Sequence, residues 1–359
     1  MSVSIPLAST HSWPAEVESW IRREPRETVL VVDSHTAGNP TRIVVGGDAI
    51  ADLVVGDVPA VRQHLRDDAD WLRTRLVHEP RGGALTCAVL PVYETGEDWD
   101  IGAVILEPGS YPPMCGHCML GFTVVAAEMN LVPAVRWVED TLSFGIRTPA
   151  GVIGATARRE AGAVVSATIV NVESRVVTSW PIRIGDADVV VDLVYGGDYY
   201  LCVDAVELGL DLVRSEADTI VGLARELAEK ATATPILDPR TGEPLDVYQV
   251  LFHRRSKAEA LRERVVVVAP PGVIDRSPCG TGSSALLALL ADRGEIRTGE
   301  VLETESIIGS EFLLRAESVR MEGGIVVTVP SITSSAHING FSAVVVDSRD
   351  ALRDGFAPL

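Results

Sequence analysis

Lysine is nearly missing from this chain: only Lys230 and Lys257 occur in 359 residues. Lys230 ends a helical-looking run from Leu223, and Lys257 sits in the charged segment Arg254-Arg255-Ser256-Lys257, so both read as solvated. Pyridoxal-phosphate chemistry needs a Schiff-base lysine in a pocket, and this pair argues against it. The expectation is an enzyme with no cofactor. Cysteine is also sparse, and the count of five is odd in a chain this long. That pattern does not read as a disulfide framework. Positive charge is outweighed, with a formal net charge of −19. Nucleic acids and anionic membranes both want basic patches, so neither is an expected partner. A small acidic substrate stays open, because backbone dipoles bind a carboxylate inside an acidic protein. No apolar run approaches the roughly 20 residues that span a bilayer. Met1 to Glu24 lacks the basic start and apolar core of a signal peptide, which points to the cytoplasm. Neither a G-x-G-x-x-G fingerprint nor a P-loop is present.

What is present describes a well-buried globular protein. Hydrophobic residues make up 47%, and the mean hydropathy is positive. The length is large for one core and suggests two domains. Along the chain, residues 1 to about 26 form a polar lead-in, with a short helix from Pro14 to Arg22. Strands are expected at Thr28 to Asp33 and Thr41 to Val45, with a turn-rich Ser34 to Pro40 between them. An amphipathic helix is expected across Val58 to Leu76, and strands near Ala84 to Val92 and Ile101 to Leu106. A helix from about His117 to Met129 follows, then several β-branched runs between Gly151 and Tyr195. Asp211 to Ala231 reads as a helix, and Thr232 to Pro244 as a loop. A buried strand at Arg264 to Ala269 precedes a helix from about Gly282 to Arg293, stopped by Gly294. Strands near Ser306 to Leu314, Ile325 to Val329 and Phe341 to Val346 close the chain. The fold class is mixed α/β with antiparallel-looking strands and few regular βαβ units.

Two cysteines stand in matching settings. Cys115 lies in Pro113-Met114-Cys115-Gly116-His117-Cys118, and Cys279 in Ser277-Pro278-Cys279-Gly280-Thr281-Gly282, 164 residues later. Each is followed by glycine, a polar residue and a long apolar run that ends in an acid at the same offset, Glu128 and Asp292. A cysteine at a helix N-terminus feels unpaired N–H groups and the positive end of the dipole, which lowers its pKa. The small residues beside it let backbone amides approach a carboxylate. This arrangement suits removal of the proton next to a carboxylate without a cofactor. A thiolate takes the proton on one face and a thiol returns one on the other.

Other readings compete. A single buried cysteine is usually a small hydrophobe, which fits Cys87 and Cys202 in their apolar strand patterns. Cys115-Gly116-His117-Cys118 is also a C-x-x-C, the pattern of a thioredoxin-like thiol–disulfide exchanger. That reading leaves Cys279 without a role, and the usual preceding Trp is absent. Oxidation could still join Cys118 to Cys115 and switch the site off. A zinc site from Cys115, His117, Cys118 and Cys279 lacks a second ligand pair at metal spacing, and no metal is expected.

At these motifs the chain resembles the proline racemase family, which has the diaminopimelate epimerase-like fold. Asp33-Ser34-His35-Thr36-Ala37-Gly38-Asn39-Pro40-Thr41-Arg42 is similar to the family's opening motif. Met114-Cys115-Gly116-His117 resembles its first catalytic motif. Asp275 to Gly282 matches its second motif at eight consecutive residues. Ser306 to Ser310 and Ala336 to Phe341 resemble its C-terminal signatures. The resemblance implies two similar domains, each a curved, mostly antiparallel sheet around a central helix, with the site in the cleft between them. The expected boundaries are residues 27–165 plus about 340–359 for the Cys115 half and 166–339 for the Cys279 half.

The resemblance also implies Cys115 and Cys279 as the acid/base pair. It puts the amides of Gly116, His117, Gly280 and Thr281 on the substrate carboxylate, and the side chains of His117 and Asp275 near the ring nitrogen. His35 is expected to support the turn around Gly38. The implied partner is a small cyclic amino acid, and a homodimer is one assembly left open. The implied activity is racemisation or 2-epimerisation of proline or a hydroxyproline. A dehydratase of trans-3-hydroxyproline is the sister activity, for which the second cysteine is commonly threonine. The departures from the pattern are Gly83-Ala84-Leu85-Thr86, Cys118, Glu311 to Leu314, and Ser334-Ser335-Ala336. They bear on the pocket wall more than on the reacting pair.

Overall fold

The computed structural model describes residues 15–21, 26–50, 53, 56–132, 134–238, 242–256 and 261–357. Lys257 and most of the lead-in lie outside them. A short helix α1 (Ala15–Ile21) comes first. Strands β1 (Arg26–Thr36) and β2 (Asn39–Gly46) follow. Then come helices α2 (Val58–Asp67) and α3 (Trp71–Val77), and strands β3 (Cys87–Val92) and β4 (Ile101–Leu106). Helix α4 (Gly116–Met129) leads to β5 (Thr141–Thr148), β6 (Gly151–Glu160) and β7 (Ala163–Val170). The chain continues through β8 (Arg175–Ile184), β9 (Ala187–Tyr195) and β10 (Tyr199–Asp204) to helix α5 (Ala217–Ala231). Strands β11 (Gln249–Arg255), β12 (Arg262–Ala269) and β13 (Val273–Ile274) precede helix α6 (Gly280–Asp292). Strands β14 (Val301–Glu305), β15 (Glu311–Glu322), β16 (Ile325–Ser334) and β17 (Ala336–Asp347) complete it.

The strands form one sheet whose pairing repeats. Along the first half, β17, β1 and β2 pair antiparallel, β2 and β3 parallel, and β3 and β4 antiparallel. Then β4 and β5 pair parallel, and β5, β6 and β7 antiparallel. Along the second half, β8, β9 and β10 pair antiparallel, β10 and β11 parallel, and β11 and β12 antiparallel. Then β12 and β14 pair parallel, and β14, β15 and β16 antiparallel. The halves join where β7 pairs with β16, from Val170 opposite Ser331 to Ala167 opposite Ser334. Parallel neighbours need a crossover. Each parallel step in one half has a helical crossover that matches one in the other half. Helices α2 and α3 match α5, and α4 matches α6.

Helices α4 and α6 are apolar all round, as a fully enclosed helix must be. Gly116 to Ala127 and Gly280 to Ala291 are buried throughout. They share one central core, in which Phe122, Leu286 and Leu289 are at most 1% exposed. Burial of each such side chain stabilises by roughly 1.5–3 kcal/mol. The amphipathic helices α2, α3 and α5 instead cover outer faces of the sheet over two flanking cores. No helix among the described residues is long and apolar enough to cross a membrane.

Four local expectations change. The helix across Val58 to Leu76 is two helices, because the α2 C-cap at Asp68 ends the first and the Asp70 carboxylate turns to Arg73 and Tyr111. Asp211 to Ala231 is helical only from Ala217, after a 3-10 turn at Arg214–Glu216. The Glu216 carboxylate reaches back to the amides of Asp211 and Val213 and holds that turn. Ser306 to Ser310 is a turn rather than a strand, with Gly309 at φ +81° and the Ser306 amide donating to the Ser310 carbonyl at 2.8 Å. The turn expected from Ser34 to Pro40 shrinks to Ala37-Gly38, with both strands running up to it.

Candidate active site

Cys115 is the N-cap of α4 and sits in extended backbone, so its side chain leaves the helix axis. Thr36 Oγ1 donates to the His117 carbonyl at 2.9 Å and ties the first helical turn to β1. Cys279 is the N-cap of α6, at φ +61° and ψ 111°. That backbone region is costly for any residue but glycine, by about 1–3 kcal/mol. A local network holds it there. The Cys279 amide donates to Ser277 Oγ at 3.1 Å, and the Ser277 amide and hydroxyl both donate to Asp275 Oδ1 at 2.8 and 2.9 Å. Ser283 Oγ donates to the Pro278 carbonyl at 2.8 Å.

The N-termini of α4 and α6 meet backbone to backbone. A Cβ built on Gly116 would lie 2.5 Å from the Gly280 Cα, and one on Gly280 would lie 2.6 Å from the Gly116 Cα. Only glycine allows that approach. Beside this junction lies a cavity of about 300 Å³ whose wall includes Cys115, Gly116, His117, Asp275, Cys279 and Thr281. Of the residues expected at the site, Gly280 alone is not in the wall; its backbone packs on Gly116 instead. The amides of Gly116, His117, Gly280 and Thr281 all precede the first i to i−4 bonds, which start at Met119 and Ser283. They are therefore not committed to the helices.

The surroundings push the two thiols in opposite directions. His117 Nδ1 lies 3.2 Å from Cys115 Sγ, and Nε2 lies 3.4 Å from Cys118 Sγ. A hydrogen bond from Cys118 and the charge of His117 hold the Cys115 thiol well below the ordinary thiol range, against the opposing effect of burial. Burial alone would lower His117, but the charges of Cys115 and Cys87 outweigh it and raise the imidazole well above its usual value. Both shifts favour a thiolate at Cys115 beside a charged imidazole at His117. Cys279 is pushed the other way, by burial first and then by the charge of Asp275. Tyr200 Oη lies 3.4 Å from Cys279 Sγ and 2.6 Å from Thr281 Oγ1, and the Gly282 amide donates to the sulfur at 3.4 Å. Burial also raises Asp275, despite the opposing charge of His117 and its bonds from Ser277.

With this geometry in place, comparison with known proteins is decisive. The proline racemase family model matches residues 31–357. The chain belongs to the proline racemase family. It is 32% identical over 337 residues to a 4-hydroxyproline 2-epimerase of Ancylobacter novellus, covering 92% of this chain and 98% of that protein. It is 32% identical over 337 residues to a proline racemase of Acetoanaerobium sticklandii, covering 91% and 98%. A crystal structure of a hydroxyproline epimerase from Agrobacterium vitis, with bound trans-4-hydroxy-L-proline, superposes at a TM-score of 0.82 and 27% identity, covering 92% and 94%. A phenazine biosynthesis protein of Bacillus anthracis, at 14% identity and a TM-score of 0.52, shares the fold alone. Members of the proline racemase family with these names are isomerases, and so is this enzyme. The fold is the diaminopimelate epimerase-like one.

Two of the departures from the proline racemase pattern reach the site. Ala84 and Leu85 are in the cavity wall. Cys118 lies in the first turn of α4 and is fully buried. His35 sits in β1 with its ring 5.5 Å from that of His337, away from the cavity wall. The thiol–disulfide exchanger reading fares poorly on access. Cys115 is 7% exposed and Cys118 is not exposed, so a protein disulfide does not reach them.

Several wall residues were not expected. Cys87, read as a core cysteine, is buried but lines the cavity, and its thiol is lowered to about 7, chiefly by a hydrogen bond from Cys118. Cys202 keeps the core reading, fully buried with its thiol raised by burial. Glu107 is raised well above the usual carboxyl range by burial, then by the charges of Cys87 and Cys115. Asp198 is raised to about 6 by burial, and its Oδ2 accepts from Tyr248 Oη at 3.0 Å and Gln249 Nε2 at 2.8 Å. One signal for Tyr200 was legible. Gly196 and Gly197 precede it, and a Cβ on Gly196 would strike the Thr281 carbonyl at 2.2 Å. Paired glycines mark the place where this segment lies against α6.

Proposed function

We propose that the chain is a cofactor-independent racemase or 2-epimerase of proline or a hydroxyproline that works by two-base α-proton transfer. One observation carries this reading: the N-caps of two equivalent helices are thiols lining one cavity, and their surroundings push the two thiols in opposite directions. The Cys115 thiolate takes the α-proton, breaking a C–H bond and forming S–H. The Cys279 thiol gives its proton to the opposite face of the same carbon, which inverts it. The reverse reaction starts from the enzyme so produced.

The substrate carboxylate is held by the amides of Gly116, His117, Gly280 and Thr281 at two positive helix ends. Negative charge that develops on this carboxylate in the transition state is met by donors already oriented. Each such donor is worth about 10²–10³ in rate. Asp275 accepts from the ring nitrogen. His117 has Nδ1 engaged with Cys115, so its main contribution is to hold the thiolate. A cavity near 300 Å³ is at the small end for ligand sites, which suits a single small ring.

A test is α-proton exchange in deuterated water with L- and D-proline and the 4-hydroxyprolines. Exchange with inversion is expected for at least one of them, and Cys115→Ser or Cys279→Ser should each reduce turnover sharply. If neither substitution slows catalysis, the two-thiol mechanism is wrong. Dehydration of trans-3-hydroxyproline is a second reading, favoured by Glu107. Burial raises its carboxyl well above the usual range in the cavity wall, which suits it to protonate the departing hydroxyl. Appearance of a pyrroline product from trans-3-hydroxyproline distinguishes this reading from the first.

A further inference from the structure

Soft metal ligands converge beside the proton-transfer pair. Cys87 comes from β3, and His117 and Cys118 come from the first turn of α4. Their ligand atoms all lie within 4.8 Å of one another, and all three residues are buried. A tetrahedral zinc ion with Zn–S near 2.3 Å and Zn–N near 2.0–2.1 Å places neighbouring ligands about 3.5–3.8 Å apart. The 3.4 Å between His117 Nε2 and Cys118 Sγ matches that spacing, and small side-chain shifts bring in Cys87.

The second contact shell is also present. A ligating histidine normally donates its other ring N–H to an anion, which sets its tautomer. Here His117 Nδ1 lies 3.2 Å from Cys115 Sγ, leaving Nε2 for an ion. Cys87 and His117 line the cavity whereas Cys118 does not, so an ion has an entry path and an open side. Glu107 lines the same cavity, with Oε1 4.0 Å from Cys87 Sγ, and a water takes the fourth position. Two thiols of different origin meeting one imidazole are more than a core of small hydrophobes needs, since aliphatic side chains would fill the same space without buried polar atoms.

We propose that Cys87, His117 and Cys118 form a binding site for a thiophilic divalent cation of the zinc class, and that an ion there shuts off the racemase. Binding releases the Cys87 and Cys118 thiol protons together with the Nε2 proton of a charged His117, and leaves the Nδ1 proton on the Cys115 side. An ion on Cys87 and His117, which line the cavity beside Cys115, occupies space the substrate needs and fixes the His117 side chain. The inhibitory half rests on the proposed function, and the binding half does not.

The test uses the full-length, reduced and chelator-treated protein, with Co2+ as probe. One equivalent should bring up a thiolate-to-cobalt charge-transfer band and the d–d bands of a four-coordinate ion. Cys87→Ala and Cys118→Ala should each weaken binding at least tenfold, while Cys202→Ala binds like the parent. Should either variant fail to fold, a wild-type measurement replaces it. One equivalent of Zn2+ should protect Cys87 and Cys118, and not Cys202, from a maleimide read by peptide mass spectrometry. No charge-transfer band, no protection, or a band unchanged in both variants overturns the site. A racemase whose α-proton exchange continues with Zn2+ bound overturns the inhibitory half alone. An enzyme without that exchange but with the cobalt spectrum refutes the proposed function and leaves the site standing.

Discussion

Substituting Gly116 by alanine is the most searching perturbation of this fold. The new Cβ would lie 2.5 Å from the Gly280 Cα, 3.1 Å from its carbonyl carbon and 3.3 Å from its nitrogen. Ordinary contact begins near 3.4 Å, so the ends of α4 and α6 must part by about 1 Å, since backbone has no rotamer to escape into. Overpacking of this kind costs about 1–3 kcal/mol of stability. For a chain of this size that is a fall of a few degrees in Tm. The effect on catalysis is larger. A displacement near 1 Å between groups that must face one carbon costs about 10²-fold in rate. The expected result is therefore a folded protein, slightly less stable, with kcat for α-proton exchange down by about 100-fold. Gly83→Ala is the control, because nothing lies within 4 Å of a Cβ there, and it should leave both quantities unchanged. A Gly116→Ala variant with parental kcat and Tm would refute the claim that this junction sets the distance between the two thiols.

Tyr200→Phe removes the hydroxyl shared by Cys279 and Thr281, and the loss of a hydrogen bond to the Cys279 sulfur as it gives up its proton should lower kcat about 10- to 100-fold; a rate within twofold of the parent would deny Tyr200 that role. The pH profile follows from the two thiols. Cys115 is depressed and must be deprotonated, so activity is lost only as pH falls through its lowered value, while Cys279, pushed up, keeps its proton into alkali. The rate with Cys115 as base should be flat across the ordinary thiol value of about 8.5, and a bell centred there would contradict the assignment. Iodoacetamide at neutral pH should modify Cys115 before Cys279, with protection by substrate, as read by peptide mass spectrometry; the reverse order would contradict the same assignment. Asp70→Asn leaves Arg73 and the Tyr111 hydroxyl without a carboxylate. Because Asp70 is partly exposed, the expected loss by denaturant titration is near 1 kcal/mol. In the parent, that contribution disappears as pH falls through a carboxyl value below the ordinary one.

The two central helices were legible because their signals are local. A cysteine, a glycine and a run of small apolar residues announce a buried helix with an N-terminal site, and the chain does so twice. Asp275 was legible through the motif it shares with Cys279. Cys87 was not. The continuous apolar run around it describes any core strand, and only the parallel pairing of β2 with β3 brings it beside α4. Glu107 and Asp198 escaped for a related reason: each is an acid in an ordinary-looking turn, and tertiary burial alone moves its proton. The break between α2 and α3 depended on Tyr111, some 40 residues away, accepting Asp70 as a partner. Nothing in the local hydrophobic period signals a contact of that range.

The last strand has a consequence for how the enzyme is made. β17 pairs with β1 from Arg26 opposite Asp347 to Thr36 opposite Ala336, and every other strand of the sheet is synthesised before it. The half that carries Cys115 therefore has an open edge at β1 until β17, the last strand of the sheet among the described residues, has been made. Contacts so distant in sequence form slowly, and an exposed edge strand is an invitation to wrong partners. Cutting the gene between β7 and β8 would not yield two self-sufficient pieces, since the first would lack its closing strand and the second would carry it. The first half is thus closed last, by a strand that holds neither Cys115 nor Cys279.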